Sequence, residues 1–272
     1  MDVAADLAAR SLLLFGLLLF LFQLIAYRLG YVLGRRSRAA GRAQSADSVG
    51  LVVNSLLALL AFTLALTLSF ASSRYSERRA GVLAEAKAIG TAWLRAEAVG
   101  HPLGREIADL LKQYGAIRRD FVKAPRGSPT IEDTNERTSV LQSQIWERLS
   151  SIVRERPDDV TSSLMQSLND VFDASTAERF AIETRIPPQL FRLMVGMIFV
   201  CMGAFGYQLG LNGHELRALL VLFVAVWTAV LVVIIDLSAP RIGITRTSST
   251  VYDWMLDSMK GERPVQSPSA SR

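Results

Sequence analysis

Charge vanishes from this chain four times, each time for about the length of a bilayer crossing. The uncharged runs are Ser11–Tyr27, Leu51–Phe70, Leu193–Gly213 and Ala218–Ile235. Each is roughly 20 residues long, enough for a helix to cross a hydrocarbon core. They predict spans at about 11–33, 50–71, 190–211 and 216–237. The second run turns abruptly charged after Phe70, yet nothing there breaks a helix. No proline falls between Leu51 and His101, and Gly81 and Gly90 stand alone. The pattern predicts one continuous helix that begins in lipid and ends in water, roughly 75 Å long at 1.5 Å per residue.

The polar stretch between the second and third spans reads as helix throughout, with apolar positions at 3.6-residue spacing. Val82, Ala86, Ile89 and Trp93 line one face of the long helix, which His101-Pro102 ends. Ile107, Leu110, Leu111, Tyr114, Ile117 and Phe121 mark a second helix, closed by KAPRGSPT. Leu141, Ile145, Leu149 and Ile152 mark a third, ended by Pro157. Asp158 and Asp159 open a fourth, where negative charge suits a helix N-terminus. Its expected buried stripe is Val160, Leu164, Leu168, Val171 and Phe172. No stretch sustains period-2 alternation, so no sheet is expected.

The fold class that follows is all-α: an integral membrane protein with four spans and a helical soluble insert. The expected division is a transmembrane hairpin over 1–71, a soluble helical domain over 72–187, a second hairpin over 188–238 and a tail over 239–272 with a disordered Ser/Pro-rich end. Pro187-Pro188 marks the return to the membrane. The third span carries Gly196, Gly203 and Gly210 at intervals of seven, and Gly206 with Gly210 as a small-xxx-small pair. Such spacing lets helix backbones approach closely in lipid. Leu211-Asn212-Gly213 turns the chain straight into the fourth span.

Composition agrees: 50% of the 272 residues are hydrophobic. The single cysteine, Cys201, excludes an internal disulfide, and the two histidines, His101 and His214, do not make a metal set. The net charge of +5 fits positive-inside topology and anionic lipid headgroups, not nucleic acid. The first run reads as an uncleaved span, since YRLGYVLGRRSR follows it without a small-x-small cleavage site. Arg10, Arg74, Arg78, Arg79, Lys87, Arg179, Arg185, Arg241 and Arg246 fall on one side of the membrane. Arg28, Arg35, Arg36, Arg38, Arg42 and Arg217 fall on the other. The count places the insert, N-terminus and tail in the cytoplasm.

The candidate chemistry is mostly negative. There is no phosphate-binding loop, no G-x-S-x-G and no H-E-x-x-H, and the spans hold no mid-depth acid for proton or sodium coupling. An enzyme, a cofactor site, a metal site and a coupled carrier are all unsupported. What remains is a passive pore, or a membrane-anchored interaction or sensor protein that does not conduct. On the second span, Leu59, Phe62, Leu66, Ser69 and Ser73 share a face. A ring of such Phe and Leu side chains forms a hydrophobic constriction, although the same face also suits lipid. Just beyond, Arg74, Arg78 and Arg79 read either as a solvated helix face or as a positive mouth that concentrates anions. Asn169, Asp170, Asp173, Glu178 and Arg179 form a polar cluster expected to touch the long helix.

The stretch SRYSERRAGVLAEAKAIGTAWLRAE resembles the signature of the bacterial bestrophin-like membrane proteins. The matching residues are Arg74, Tyr75, Arg78, Arg79, then Glu85, Ala86, Ala88, Ile89, Gly90, Thr91, Ala92, Leu94 and Arg95. Asn169, Asp173 and Arg179 before Pro187, and Asp236, Pro240 and Gly243 after the last span, continue the likeness in order. The more distant likeness to true bestrophins implies a pentameric chloride channel, with the second span lining the pore and running on into the cytosol. It implies partners of three kinds: membrane lipids, further copies of the chain and small anions. The family's Pro-Phe-Gly motif and acidic calcium clasp are not matched by Pro240-Arg241-Ile242-Gly243, so no calcium ligand is implied.

Overall fold

The computed structural model describes residues 12–41, 46–125, 127–183, 188–213, 217–239, 241 and 245–260. These are helical, with no strand among them. The helices are α1 (Leu12–Ala39), α2 (Ala46–Ala98), α3 (Pro102–Lys123), α4 (Pro129–Glu155), α5 (Asp159–Glu183), α6 (Pro188–Asn212), α7 (Arg217–Ser238) and α8 (Thr250–Met259). Four are long and apolar enough to cross a membrane: α1, α2 from Ser48, α6 from Gln189 and α7 from Ala218. The uninterrupted 53-residue α2 is the long helix expected from the absence of breakers.

The chain divides into two compact units. The first holds residues 1–75 and 185–245. Its α1 and α6 run parallel, with backbones in near contact. A Cβ added at Gly30 would meet the Gly203 carbonyl oxygen at 2.0 Å, and one at Gly206 would meet that of Tyr27 at 2.2 Å. Gly34 against Tyr207 and Gly210 against Tyr31 repeat the arrangement one turn along. The seven-residue glycine repeat does not define this seam: Gly196 faces open space and Gly203 keeps 3.8 Å to the Ala26 carbonyl oxygen. The pair Gly206 and Gly210 does. Between α1 and α7, Gln23 Nε2 donates to Thr228 Oγ1 at 2.8 Å. The Phe205 and Phe223 rings, 5.3 Å apart, join α6 to α7.

The second unit holds residues 76–184 and 246–272. Its core is the apolar set expected from helical spacing: Val82, Ile89, Leu111, Ile145, Leu149, Leu164 and Leu168 are all buried. The ends are capped as the punctuation suggests. Gly100 takes φ +68 after α2, and His101 Nδ1 accepts the Leu103 N–H at 3.1 Å. Ser128 Oγ accepts from Thr130 N at the start of α4. Asp158 Oδ1 accepts the Thr161 N–H at 2.8 Å, and this backbone bond holds its carboxyl below the usual range.

Two expectations need correction. Val160 is exposed, not part of the buried stripe of α5, and Phe172 is half-buried; the true stripe begins at Thr161 and Leu164. The tail is also more than an appendage. Residues 250–259 form α8, and Tyr252, Met255 and Met259 bury one face of it in the soluble core. Gly115 on α3 makes the space, since a Cβ there would lie 2.6 Å from the Met255 Cε. The chain end after Lys260, expected to be disordered, lies outside the described residues, as do Pro187, Pro240 and Gly243.

Candidate functional site

Helix α2 has two faces along its whole length. Val53, Leu60, Leu64, Ala71, Arg78, Val82, Glu85, Ile89, Ala92 and Ala96 are buried. They recur at three, four and seven, so they form one stripe. The opposite face is open in the single chain. Leu59, Phe62 and Leu66 are 53%, 62% and 56% exposed, and Ser69 and Ser73 are exposed too. The five residues expected to share a face do share one, turned away from the helix's own neighbours. Thr63 and Thr67 lie apart from it, and their hydroxyls donate to the carbonyls of Leu59 and Thr63 at 2.8 and 2.7 Å.

The three arginines expected to act together differ in exposure. Arg79 is exposed, and Arg74 is half-buried with its guanidinium 5.2 Å from the centroid of the Phe70 ring. Arg78 is only 3% exposed. It stands seven residues after Ala71 and four before Val82, so it belongs to the buried stripe and not to an open mouth.

Glu85, the acid of the signature stretch, is fully buried. Arg118 of α3 grips it with two bonds, Nε to Oε1 at 2.5 Å and Nη2 to Oε2 at 3.1 Å. Tyr252 of α8 donates its phenol to Oε2 at 2.6 Å. Arg118 Nη2 also reaches the Ser175 carbonyl of α5 at 3.4 Å, and its guanidinium lies over the Phe121 ring. Gln142 of α4 donates Nε2 to the Tyr114 hydroxyl at 3.1 Å and lies 3.2 Å from Ser175 Oγ. One polar network thus ties α2, α3, α4, α5 and α8 together. Burial works against the Arg118 charge, but the Glu85 carboxylate more than offsets it and raises the pKa.

The other signature residues scatter. Gly90 faces α8, with Met255 Cγ 3.8 Å from a Cβ built there. Arg95 Nη1 donates to the Ser163 carbonyl at 2.8 Å, Thr91 is exposed, and Tyr75 is half-buried. Of the α5 cluster, Asn169 is half-buried and Asp170 and Asp173 are exposed. Arg179 pairs with Glu183 at 3.0 Å on the surface. Only Glu178 goes inward, where its Oε2 lies 2.4 Å from the Cβ position of Gly81 on α2. Of that cluster Glu178 reaches the long helix, and the Arg95 bond to the Ser163 carbonyl adds a second polar contact between α2 and α5. Asp236 at the end of α7 accepts the Thr245 N–H at 3.1 Å and the Thr245 hydroxyl at 2.5 Å.

The network titrates at high pH. Burial, and then the Glu85 charge, push both Tyr252 and Tyr114 above the ordinary phenol range. The folded unit keeps protons that the unfolded chain releases once the pH passes about 10, so its stability is unaffected below that and falls above it. Tyr252→Phe should cost about 1.5–3 kcal/mol at neutral pH, the range for a hydrogen bond to a charged group. It should also flatten the alkaline decline. Thermal unfolding followed by circular dichroism from pH 7 to 11 reads both effects. An unchanged alkaline slope would mean that Tyr252 is not the group responsible.

Among the described residues no cluster of His, Cys, Asp and Glu has metal-binding geometry. A family model described as Bestrophin-like domain matches residues 20–252. A crystal structure of a bacterial bestrophin homologue from Klebsiella pneumoniae superimposes with a TM-score of 0.66 at 15% identity, covering 92% of this chain and 98% of that one. A tyrosine-to-alanine variant of it gives 0.67 at 14% identity over 90% and 98%. A tryptophan-to-alanine variant gives 0.68 at 14% over 89% and 97%. At such identity the likeness is one of fold. No curated protein matches the chain.

Proposed function

Because this chain belongs to the bestrophin-like family, we propose that it is an oligomeric anion channel of the bacterial inner membrane, with α2 lining the pore. The observation that carries the reading is the open face of α2. A membrane helix that leaves Leu59, Phe62, Leu66, Ser69 and Ser73 uncovered within its own chain is suited to a ring of copies about one axis. In such a ring, of five copies by the distant likeness to bestrophins, Phe62 and Leu66 form an apolar constriction that gates by dewetting. No acidic residue lies between Leu51 and Ser76; the first, Glu77, is exposed four residues after Ser73. Arg79 and Arg74 supply the positive potential that raises anion concentration at the cytoplasmic end. The soluble unit is cytoplasmic by the arginine count, and chloride is the anion expected.

The test is chloride efflux from liposomes carrying the purified protein. Phe62→Ala with Leu66→Ala should widen the constriction and raise efflux several-fold, and Arg79→Glu should lower it. A stable monomer in detergent, or silence under every ion gradient with the oligomer intact, would sink the channel. Silence with an intact oligomer supports the other reading, a non-conducting interaction or sensor protein. Leu94, Phe180 and Trp254, exposed large apolar residues of the soluble unit, favour it as partner contacts.

A further inference from the structure

We propose that the membrane unit carries a built site for one anionic phospholipid, in a groove between α1, α2 and α6 at the end of the spans where α1 turns into α2. The groove has a volume of about 720 Å³, within the roughly 300–1,000 Å³ typical of small-molecule sites. Its walls are apolar. Leu29 and Leu33 of α1, Val49 and Val52 of α2, and Val200 of α6 line it. These walls suit an acyl chain; the polar side chains among the lining residues are Ser48 of α2 and Tyr207 of α6.

The rim decides the occupant. On α1 the lining residues Leu29 and Leu33 are followed three residues later by Arg36, so helical spacing continues the same stripe from hydrocarbon to guanidinium. Arg36 is exposed, Arg35 lies beside it, and neither has a carboxylate within ion-pair distance among the described residues. At the same depth Tyr207, which lines the groove, donates its hydroxyl to Ser37 Oγ at 3.3 Å. A tyrosine hydroxyl and arginines at the end of a span sit at headgroup level. A phospholipid with its chain between α1 and α6 puts its phosphate there, against Arg36. The alternative occupant is a helix from a second copy. In a ring about the membrane normal every copy holds its Arg36 at one depth, so a neighbour brings positive charge to a positive rim. A negative headgroup complements that rim. The site does not depend on whether the protein conducts.

The experiment is native mass spectrometry of the full-length protein titrated with phosphatidylglycerol or phosphatidylcholine. Phosphatidylglycerol should bind at one tight site per chain. Arg36→Gln should weaken it about five-fold, the loss expected for one basic residue at a membrane surface, and leave phosphatidylcholine unchanged. Val200→Trp should abolish the tight site. Val200 is 61% exposed, so the larger side chain fills the groove without entering the helix packing. Val52→Trp, from the opposite wall, is the second variant should the first fail to fold. Val52→Cys should react with a membrane-permeant maleimide in delipidated protein and be protected by phosphatidylglycerol. Equal lipid retention by wild type and both tryptophan variants would overturn the proposal in favour of an unspecific lipid annulus. A cysteine at 52 that stays unreactive in the delipidated oligomer would overturn it in favour of a second copy.

Discussion

Glu85→Ala is expected to destabilise the soluble unit by about 3–5 kcal/mol, the range for breaking a buried ion pair from one side. The carboxylate is fully buried and carries three hydrogen bonds, two from Arg118 and one from Tyr252. Its removal strands a guanidinium that is 1% exposed, whose remaining acceptor is the Ser175 carbonyl at 3.4 Å. It also frees the Tyr252 phenol that holds α8 in place. Arg118→Met should cost a similar amount, because it leaves the carboxylate uncompensated. Combining Glu85→Leu, Arg118→Met and Tyr252→Phe should restore much of the loss, since burying a full apolar replacement is often neutral. The readout is the thermal midpoint of the purified protein, with tryptophan fluorescence separating the soluble unit, which holds Trp93, Trp146 and Trp254, from Trp227 of α7. If Glu85→Ala shifted the midpoint no more than a surface change such as Glu183→Ala, the network would be incidental to stability.

The same triad marks the limit of what can be read along the chain. Helix α2 was legible because its signal is local: no proline, lone glycines, then Gly100-His101-Pro102. The helices of the insert were legible because their apolar positions repeat within a few turns. Arg118 was not legible as a core residue. It stands next to Arg119 in a run that looks solvated, and its partner Glu85 is 33 residues away. The trace available was its register, four after Tyr114 and seven after Leu111, on the buried side of α3. Arg78 carried the same kind of trace, and its charge masked it. Helix α8 escaped because it is only ten residues long and follows a Ser/Thr-rich stretch. Yet Tyr252, Met255 and Met259 at three and four spacing marked a buried face. Its cradle on α3, at Gly115, lies far away in the chain. Side chains whose partners are remote announce only that they are inside, not what they meet. The open face of α2 is the converse case. It is legible as a stripe on one helix, while what fills the space before it belongs to other copies or to lipid.

Gly206→Ala and Gly210→Ala should each cost the membrane unit about 3 kcal/mol or more, at or beyond the upper end of ordinary overpacking. The added carbon at 206 would lie 2.2 Å from the Tyr27 carbonyl oxygen and 3.0 Å from the Tyr31 nitrogen, and at 210 it would lie 2.3 Å from the Tyr31 carbonyl oxygen. These neighbours are backbone atoms of α1, which cannot rotate aside as a side chain does. Relief requires α1 and α6 to move apart, and the dispersion attraction that close approach provides in lipid is then lost along the seam. Gly30→Ala, from the other helix, meets the Gly203 carbonyl oxygen at 2.0 Å and should behave alike. Gly196→Ala is the control on the same helix. Nothing lies within 4 Å of its Cβ position, so the change should be neutral or stabilise α6 by about 0.5–1 kcal/mol through helix propensity. Detergent-titration unfolding of the four variants ranks them. Gly206→Ala matching Gly196→Ala would mean that the α1–α6 seam is looser than its glycines require.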